Sequence, residues 1–360
     1  MQIYMSAKER ERYSLRSLLL AKINDKRSLE LDVSDQIARD LGKQPKGVFI
    51  PAEILLGPNS SGLRGLNVTS PAAGGFTVGT NADAIAPIEY LFGQSVVFRL
   101  GAQFLADQRS DISVPRVKTS DEAEWLLEGQ IAQGQDSTFG HVAVKPHRCY
   151  AERSASKQLI IQSRGGDALV QRLVFGALAA AIDRAALAGT GGVRPVGILS
   201  DPNTPAISSG NNGGVPTLTI LNQAEGAPIT AKVPMTAPGW VMSPGARLKM
   251  KGTAKAAGQG FLVTTDPTTG TDVCNGYRAF PTAFLPDDLT KGSGTALGSA
   301  IFGADWSTLT VVQFGPLDLI VDGITKARQG LVEIAVESHV DIAKTRPDAF
   351  AKIEDMVTTL

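Results

Sequence analysis

The chain has 360 residues, a formal net charge of +0 and 43% hydrophobic residues, enough to bury the core of two or three domains or of one elaborate domain. Neutrality leaves no basic footprint for tight nucleic-acid binding. Its two cysteines, Cys149 and Cys274, lie too far apart in sequence for a metal-binding CxxC pair and are too few for a disulfide framework.

No signal peptide precedes the first charged residues, and no uncharged apolar run reaches the ~18 residues of a membrane helix. These features predict a soluble intracellular protein. The first 50 residues carry charge at about twice the density of the rest. Two helices fit there. Ser6-x-x-Glu9 forms a capping box ahead of a partial apolar stripe at Tyr13, Leu15, Leu18, Leu19 and Ile23. A second helix, about Ser28 to Leu41, ends at Gly42. Such helices fit a solvated surface or an arm packed on neighbours equally well. Residues 51–84 are poor in helix signals and read as an extended arm without a core of its own. A short helix over about Ala84 to Leu91 and paired strands through Val96 to Val117 follow.

A polar, acidic segment, Asp121 to Phe139, separates the strand ISVPRV (Ile112 to Val117) from a second alternating stretch, His141 to Ile160. The Ala/Leu-rich run Gly166 to Gly189 has apolar residues at helical spacing, including Leu169, Leu173, Leu178 and Ile182. As a helix of that length it spans ~35 Å. From Ser200 to Gly239 the pattern is loop-like. The strand GWVMS then leads to a helix from Pro244 to about Ala257, with proline at its first turn. Strand patterns fill the remainder; in GLVEIAVESHVDI, Val332, Ile334 and Val336 mark one apolar face. There is no internal repeat. Intermingled strands and helices make the class α+β or mixed α/β.

Chemistry-bearing motifs are scarce. His141, His147 and His339 are the only histidines; the first two, on one predicted strand, fall too far apart for one metal. No nucleophile elbow or SxxK motif occurs. The glycines of Gly189-Thr190-Gly191-Gly192 follow a helix and lack the Lys-Ser/Thr of a phosphate loop. No cofactor or metal is expected. Asp121, Glu122, Glu124 and Glu128 form an acidic cluster open to three readings: acid–base work, solvated surface, or ionic contact with another subunit. Trp125 beside them fits an interface anchor better than a solvated loop.

Taken in order, these segments resemble the major capsid proteins of tailed bacteriophages, with the Hong Kong 97-type fold. Val114-Pro115, Trp125-x-x-Glu128-Gly129 and Ser137-Thr138-Phe139 resemble the family's E-loop hairpin. The long helix with Asp183, followed by GTGGVRPVGIL, resembles the spine helix and its glycine-rich exit. GWVMSPGARLKMKGT is similar to the Trp-x-Met-Asn-Pro strand–helix of the axial domain, with Ser243 in place of asparagine. FGADWSTLTVV, the closing strands through Pro347-x-Ala349-Phe350, and AAGGFTV (Ala72 to Val78) complete a match over roughly residues 70–353.

The resemblance implies an α+β fold with four parts. Residues 1–84 form N-terminal helices and arm. Residues 85–199 hold the E-loop (about 112–150) and the peripheral-domain spine helix (about 164–189). Residues 200–325 form the axial domain, and 326–360 the strands returning to the peripheral domain. It implies a non-enzymatic shell protein that forms hexamers and pentamers around packaged double-stranded DNA, bound non-specifically. Portal protein is a further partner, the use of scaffold or decoration proteins is left open, assembly takes place in the bacterial cytoplasm, and no membrane is involved. Glu122, Glu124, Trp125, Glu128 and Phe139 become subunit-interface candidates. Leu169, Leu173, Leu178 and Ile182 become the spine's core face. Where some relatives carry a cross-linking lysine after the phenylalanine, this chain has Gly140 and His141, so covalent cross-links are not expected. Residues 1–50 are short for a cleaved scaffolding segment, so an arm retained in the shell is expected; a fragment of a protease–capsid fusion is the alternative. An encapsulin-type nanocompartment shares the fold and is the second reading. A hydrolase with an unrecognised site is a distant third.

Overall fold

The computed structural model describes Tyr13 and residues 17–18, 21–22, 27–42, 47–50, 95–108, 112–117, 139–156, 166–256 and 260–358. The arm expected at 51–84 and the short helix at Ala84 to Leu91 lie outside these residues. In chain order the elements are helix α1 (Leu29–Leu41), strand β1 (Val48–Ile50), helix α2 (Val96–Leu100), and strands β2 (Gln103–Gln108), β3 (Ile112–Val117), β4 (Phe139–Val144) and β5 (His147–Ser156). Helix α3 (Gly166–Ala188), strand β6 (Ala206–Ile207), helix α4 (Leu218–Thr230), strand β7 (Gly239–Met242) and helix α5 (Pro244–Gly252) follow. Strands β8 (Val263–Thr265), β9 (Asp272–Cys274), β10 (Tyr277–Pro281), β11 (Leu289–Lys291), β12 (Gly294–Gly303), β13 (Leu309–Asp322), β14 (Leu331–Lys344) and β15 (Phe350–Val357) complete the chain.

The chain divides into two compact units. The first holds Met1–Ser95, Arg148–Ala181 and Phe314–His339; the second holds Val96–His147, Ile182–Gln313 and Val340–Leu360. In the first, α1 forms where its capping residues dictate. Ser28 Oγ accepts from Leu31 N–H, and Gly42, at φ 62°, donates its N–H to the carbonyls of Ala38 and Arg39. Val33 and Ile37 of α1 pack on Phe49 of β1, and Ser34 Oγ accepts from Phe49 N–H at 2.9 Å. β1 pairs antiparallel with β13, Phe49 opposite Asp318. Gly47 permits this pairing, because a Cβ there would sit 2.2 Å from the Leu319 carbonyl oxygen.

Among the described residues β1, β13, β14 and β5 form one sheet in that order, with β2 also on β13. β14 departs from the expected pattern of a single apolar face: from Ala335 onward both faces are buried, Glu337 included, with only His339 half-buried. Burial of that carboxylate is tolerated because Arg148 Nη2 bonds it at 2.9 Å.

The second unit is built on a sheet in the order β6-β15-β12-β7-β10-β9-β8, with β11 on β12. β7 is buried along its whole length. Trp240 stacks tilted on Phe302, ring centres 5.0 Å apart, and Trp306 meets Phe350 edge-on at 5.2 Å. Trp306 Nε1 donates to the Gly239 carbonyl at 3.1 Å. Gly303 leaves the room: a Cβ there would lie 2.5 Å from that nitrogen. Asp305 caps the following 3-10 turn through Ser307 N–H, and Ser243 caps α5 with Pro244 in its first turn.

Three further sequence expectations change. Val96–Leu100 is a helix, not a strand. Its β-branched residues are overridden because Asp183 accepts from the N–H groups of Val96 (2.8 Å) and Val97 (3.3 Å). The stretch from Ser200 to Gly239 contains helix α4. Gly226 and Pro228 hide its pattern, yet Thr217 caps it and Leu221, Ala224 and Pro228 share its buried face. The predicted continuous strand His141 to Ile160 breaks at Lys145-Pro146, so His141 and His147 lie on different strands, β4 and β5. Pro146 has no N–H for a ladder, and Lys145 N–H is drawn to Asp341 Oδ2 at 2.8 Å.

Candidate functional site

Strands β3 and β4 form an antiparallel ribbon six pairs long, from Ile112 opposite Val144 to Val117 opposite Phe139. Among the described residues it pairs with no third strand. A lone two-stranded ribbon is marginally stable in water and gains stability from a surface to lie on. Pro115 is compatible with such an edge. The ribbon brackets residues 118–138, so Glu122, Glu124, Trp125 and Glu128 fall between its strands but outside the described residues. Phe139 opens β4; its side chain also lies outside them. His141 is exposed opposite Pro115.

Helix α3 has its described side chains from Phe175 onward. Leu178 and Ile182 are buried with Phe175, Ala179, Ala186 and Leu187, while the side chains of Leu169 and Leu173 lie outside the described set. The buried carboxylate of Asp183 turns one end of the spine into a cap for α2. An aspartate amid alanines and leucines is the sequence signal for that role.

The exit from α3 holds residues that composition and motif leave unnoticed. Gly189 and Gly197 let two backbone segments cross in contact: a Cβ on Gly197 would lie 2.5 Å from Gly189 N, and one on Gly189 would lie 2.2 Å from the Pro195 carbonyl oxygen. Two lysines then fasten the segment. Lys344 Nζ donates to the carbonyls of Val196 (2.8 Å) and Gly197 (3.0 Å) and pairs with Asp201 at 2.9 Å; Lys352 Nζ donates to the Leu199 carbonyl. Burial lowers the Lys344 pKa against the pull of Asp201. Burial also raises the Asp201 carboxyl, but Lys344 and the Asn203 amides outweigh it and leave that carboxyl below its ordinary value. The sequence signal is a lysine directly after the apolar pair Ile342-Ala343 at the end of β14. Between the crossing points, Gly191 (φ 83°) and Gly192 (φ 79°) form a turn that leaves Val193 88% exposed.

No described group of His, Cys, Asp or Glu has the arrangement of a metal site, and no described helix is long and apolar enough to cross a membrane. Carboxylates are engaged structurally. Asp355 takes Lys291 at 2.6 Å, and Asp272 takes Lys251 at 2.9 Å together with Arg247. What the described residues offer is a set of backbone clamps within the chain and a two-stranded ribbon that pairs with no third described strand.

The architecture is the Hong Kong 97-type capsid fold. It matches the capsid of a native GTA particle with a TM-score of 0.54 at 17% identity, covering 81% of this chain and 100% of that one. It also matches the holo-SrpI encapsulin complex of Synechococcus elongatus PCC 7942, with a TM-score of 0.51 at 13% identity, covering 74% and 89%. The phage capsid family model matches residues 74–355, and the chain belongs to that family. It is 27% identical over 324 residues to the major capsid protein of Halomonas phage phiHAP-1; the match covers 89% of this chain and 50% of that protein, so the chain spans half the length of that relative. The family is a structural one, and its members work by self-association into capsid shells.

Proposed function

We propose that the protein is the major capsid protein of a tailed phage, forming hexamers and pentamers that close into an icosahedral head around double-stranded DNA. The β3–β4 ribbon carries this reading: a hairpin with no third strand among the described residues gains stability by lying on a second copy. In this reading the ribbon is the E-loop stem, α3 the spine helix, residues 200–325 the axial domain, and 326–360 the return to the peripheral domain. Residues 1–84 serve as helices and arm. Glu122, Glu124 and Glu128 pair with lysines or arginines of an adjacent subunit, and Trp125 and Phe139 anchor the contact. Leu169 and Leu173 extend the buried stripe of Leu178 and Ile182. DNA is held non-specifically, as the neutral composition suits. Portal protein is a further partner, alongside scaffold or decoration proteins. With His141 where a lysine would be needed, the shell is held by non-covalent contacts, and assembly takes place in the host cytoplasm.

The likeness to an encapsulin supports a second reading, a nanocompartment that loads protein cargo. Negative-stain microscopy of the full chain purified from producing cells separates the two. Closed shells containing DNA are expected. DNA-free shells with protein cargo favour the compartment, and a monomer that assembles under no condition overturns both.

A further inference from the structure

In the second unit, helix α4 meets β7 and the β9–β10 turn around one carboxyl group. Glu225 Oε2 accepts from Asn275 Nδ2 at 2.8 Å, and the same amide donates to Asn222 Oδ1 at 3.0 Å. Asn275 is held in place by its backbone: Asn275-Gly276 is the two-residue link between β9 and β10, with φ of 49° and 92°, the left-handed pair that suits a type I′ hairpin turn. Trp240, fully buried on β7, acts on the other side of the carboxyl through its indole N–H. Yet neither Trp240 Nε1 nor Glu225 Oε1 completes a hydrogen bond of normal geometry, although both atoms are closed to solvent. Lys255 adds positive charge at longer range. Cys274, its thiol pushed up to about 12 by burial and then by Glu225, stays neutral. Glu225 thus faces Asn222 on its own helix, Trp240 on β7, Cys274 and Asn275 at the hairpin, and Lys255 beyond α5.

An ionised carboxylate has four lone-pair sites to satisfy. Here one oxygen accepts from Asn275, and the other, closed to solvent, completes no hydrogen bond with the Trp240 indole. The charged form is under-solvated, and burial holds the carboxyl above its ordinary value despite Asn275, Trp240 and Lys255.

We propose that Glu225 is a proton-binding clasp between α4 and the sheet of the second unit, closed by protonation and loosened by ionisation, with the Trp240 indole as its reporter. The carboxylate takes one proton from solvent and gives up its charge; no other bond changes. A group whose folded-state pKa is raised binds more protons folded than unfolded. The contact is therefore favoured at pH below the ordinary glutamate range and loses that advantage as pH rises through the folded value.

The test is a pH titration of the full chain labelled with fluorotryptophan. Of the three tryptophan signals, the one lost in Trp240→Phe is that of Trp240. The Trp240 signal is expected to move with a midpoint above the ordinary glutamate range, and Glu225→Gln is expected to abolish the movement. Asn275→Gly keeps the turn but removes a donor to the charged form, and should raise the midpoint further. No titration in the unaltered protein, a midpoint at or below the ordinary range, or a titration that survives Glu225→Gln would each overturn the proposal. Should Glu225→Gln fail to fold, the unaltered midpoint and the Asn275→Gly shift decide it.

Discussion

Replacing Lys344 by methionine tests the clamp at the exit of α3. Methionine keeps most of the apolar stem and removes only the ammonium, so cavity formation is minor. What remains is a stranded carboxylate, Asp201, with its side chain 9% exposed, and the carbonyls of Val196 and Gly197 without their donor. Removing one member of a buried pair costs about 3–5 kcal/mol. Asp201 still accepts from Asn203 N and Nδ2 at 2.9 and 3.0 Å, which points to the lower end, about 3 kcal/mol. The cost comes from the stranded partner rather than from strong attraction, since burial already lowers the Lys344 pKa. Lys344→Met with Asp201→Asn should therefore recover at least about 1 kcal/mol, a coupling typical of residues in contact. Asp201 has a lowered folded-state pKa, so the stability it contributes is present above its unfolded value and is lost as pH falls through the folded one. The penalty of Lys344→Met should shrink in that acid range. Urea unfolding followed by tryptophan fluorescence measures all three. A single-mutant loss below about 0.5 kcal/mol, the scale of an ordinary surface change, or a double mutant no better than the single, refutes the reasoning.

Asp183→Ala removes the cap from α2 and leaves the half-buried Val96 and buried Val97 N–H groups unmatched; a loss of about 1–3 kcal/mol is expected in thermal or urea unfolding. Gly197→Ala drives a Cβ into the Gly189 backbone and should cost about 1–3 kcal/mol or more, read as lost soluble yield and an earlier melt. Gly192→Ala meets open space and only a positive φ, so it should cost about 1 kcal/mol. Burial works against ionisation of Asp272, but Arg247, Lys251 and Thr265 hold it at about 2. Its contribution is present above the unfolded carboxylate value and lost as pH falls toward about 2, so Arg247→Met should unfold at higher pH in an acid titration followed by circular dichroism. Trp125→Ala should leave the subunit's melting unchanged and raise the concentration needed for shell formation, measured by light scattering; an unchanged assembly threshold removes Trp125 from the interface.

Local signals in the sequence were enough for elements whose stabilising groups are neighbours in the chain. Ser28 and Gly42 mark both ends of α1, Ser243-Pro244 starts α5, and the Ala/Leu periodicity marks α3, because caps and helical stripes act within a few residues. The order of short motifs along the chain carried the family resemblance. Composition likewise removed a disulfide scaffold and a basic nucleic-acid binder from consideration. The candidate interface residues between β3 and β4 were legible only as a pattern of acids around one tryptophan.

Tertiary structure decided whatever rests on distant partners. Val96–Leu100 has the residues of a strand and becomes a helix because Asp183, on α3, satisfies its first N–H groups. The strand expected from His141 onward stops at Pro146 because Asp341 captures the preceding N–H. Gly189 and Gly197 look like ordinary turn glycines until the backbones cross, and Lys344 looks like a surface charge until three oxygens surround it. A sequence lists donors, acceptors and volumes along one dimension. Which buried donor finds which acceptor, and which glycine has no room for a methyl group, is fixed only when segments far apart in the chain are brought within bonding distance.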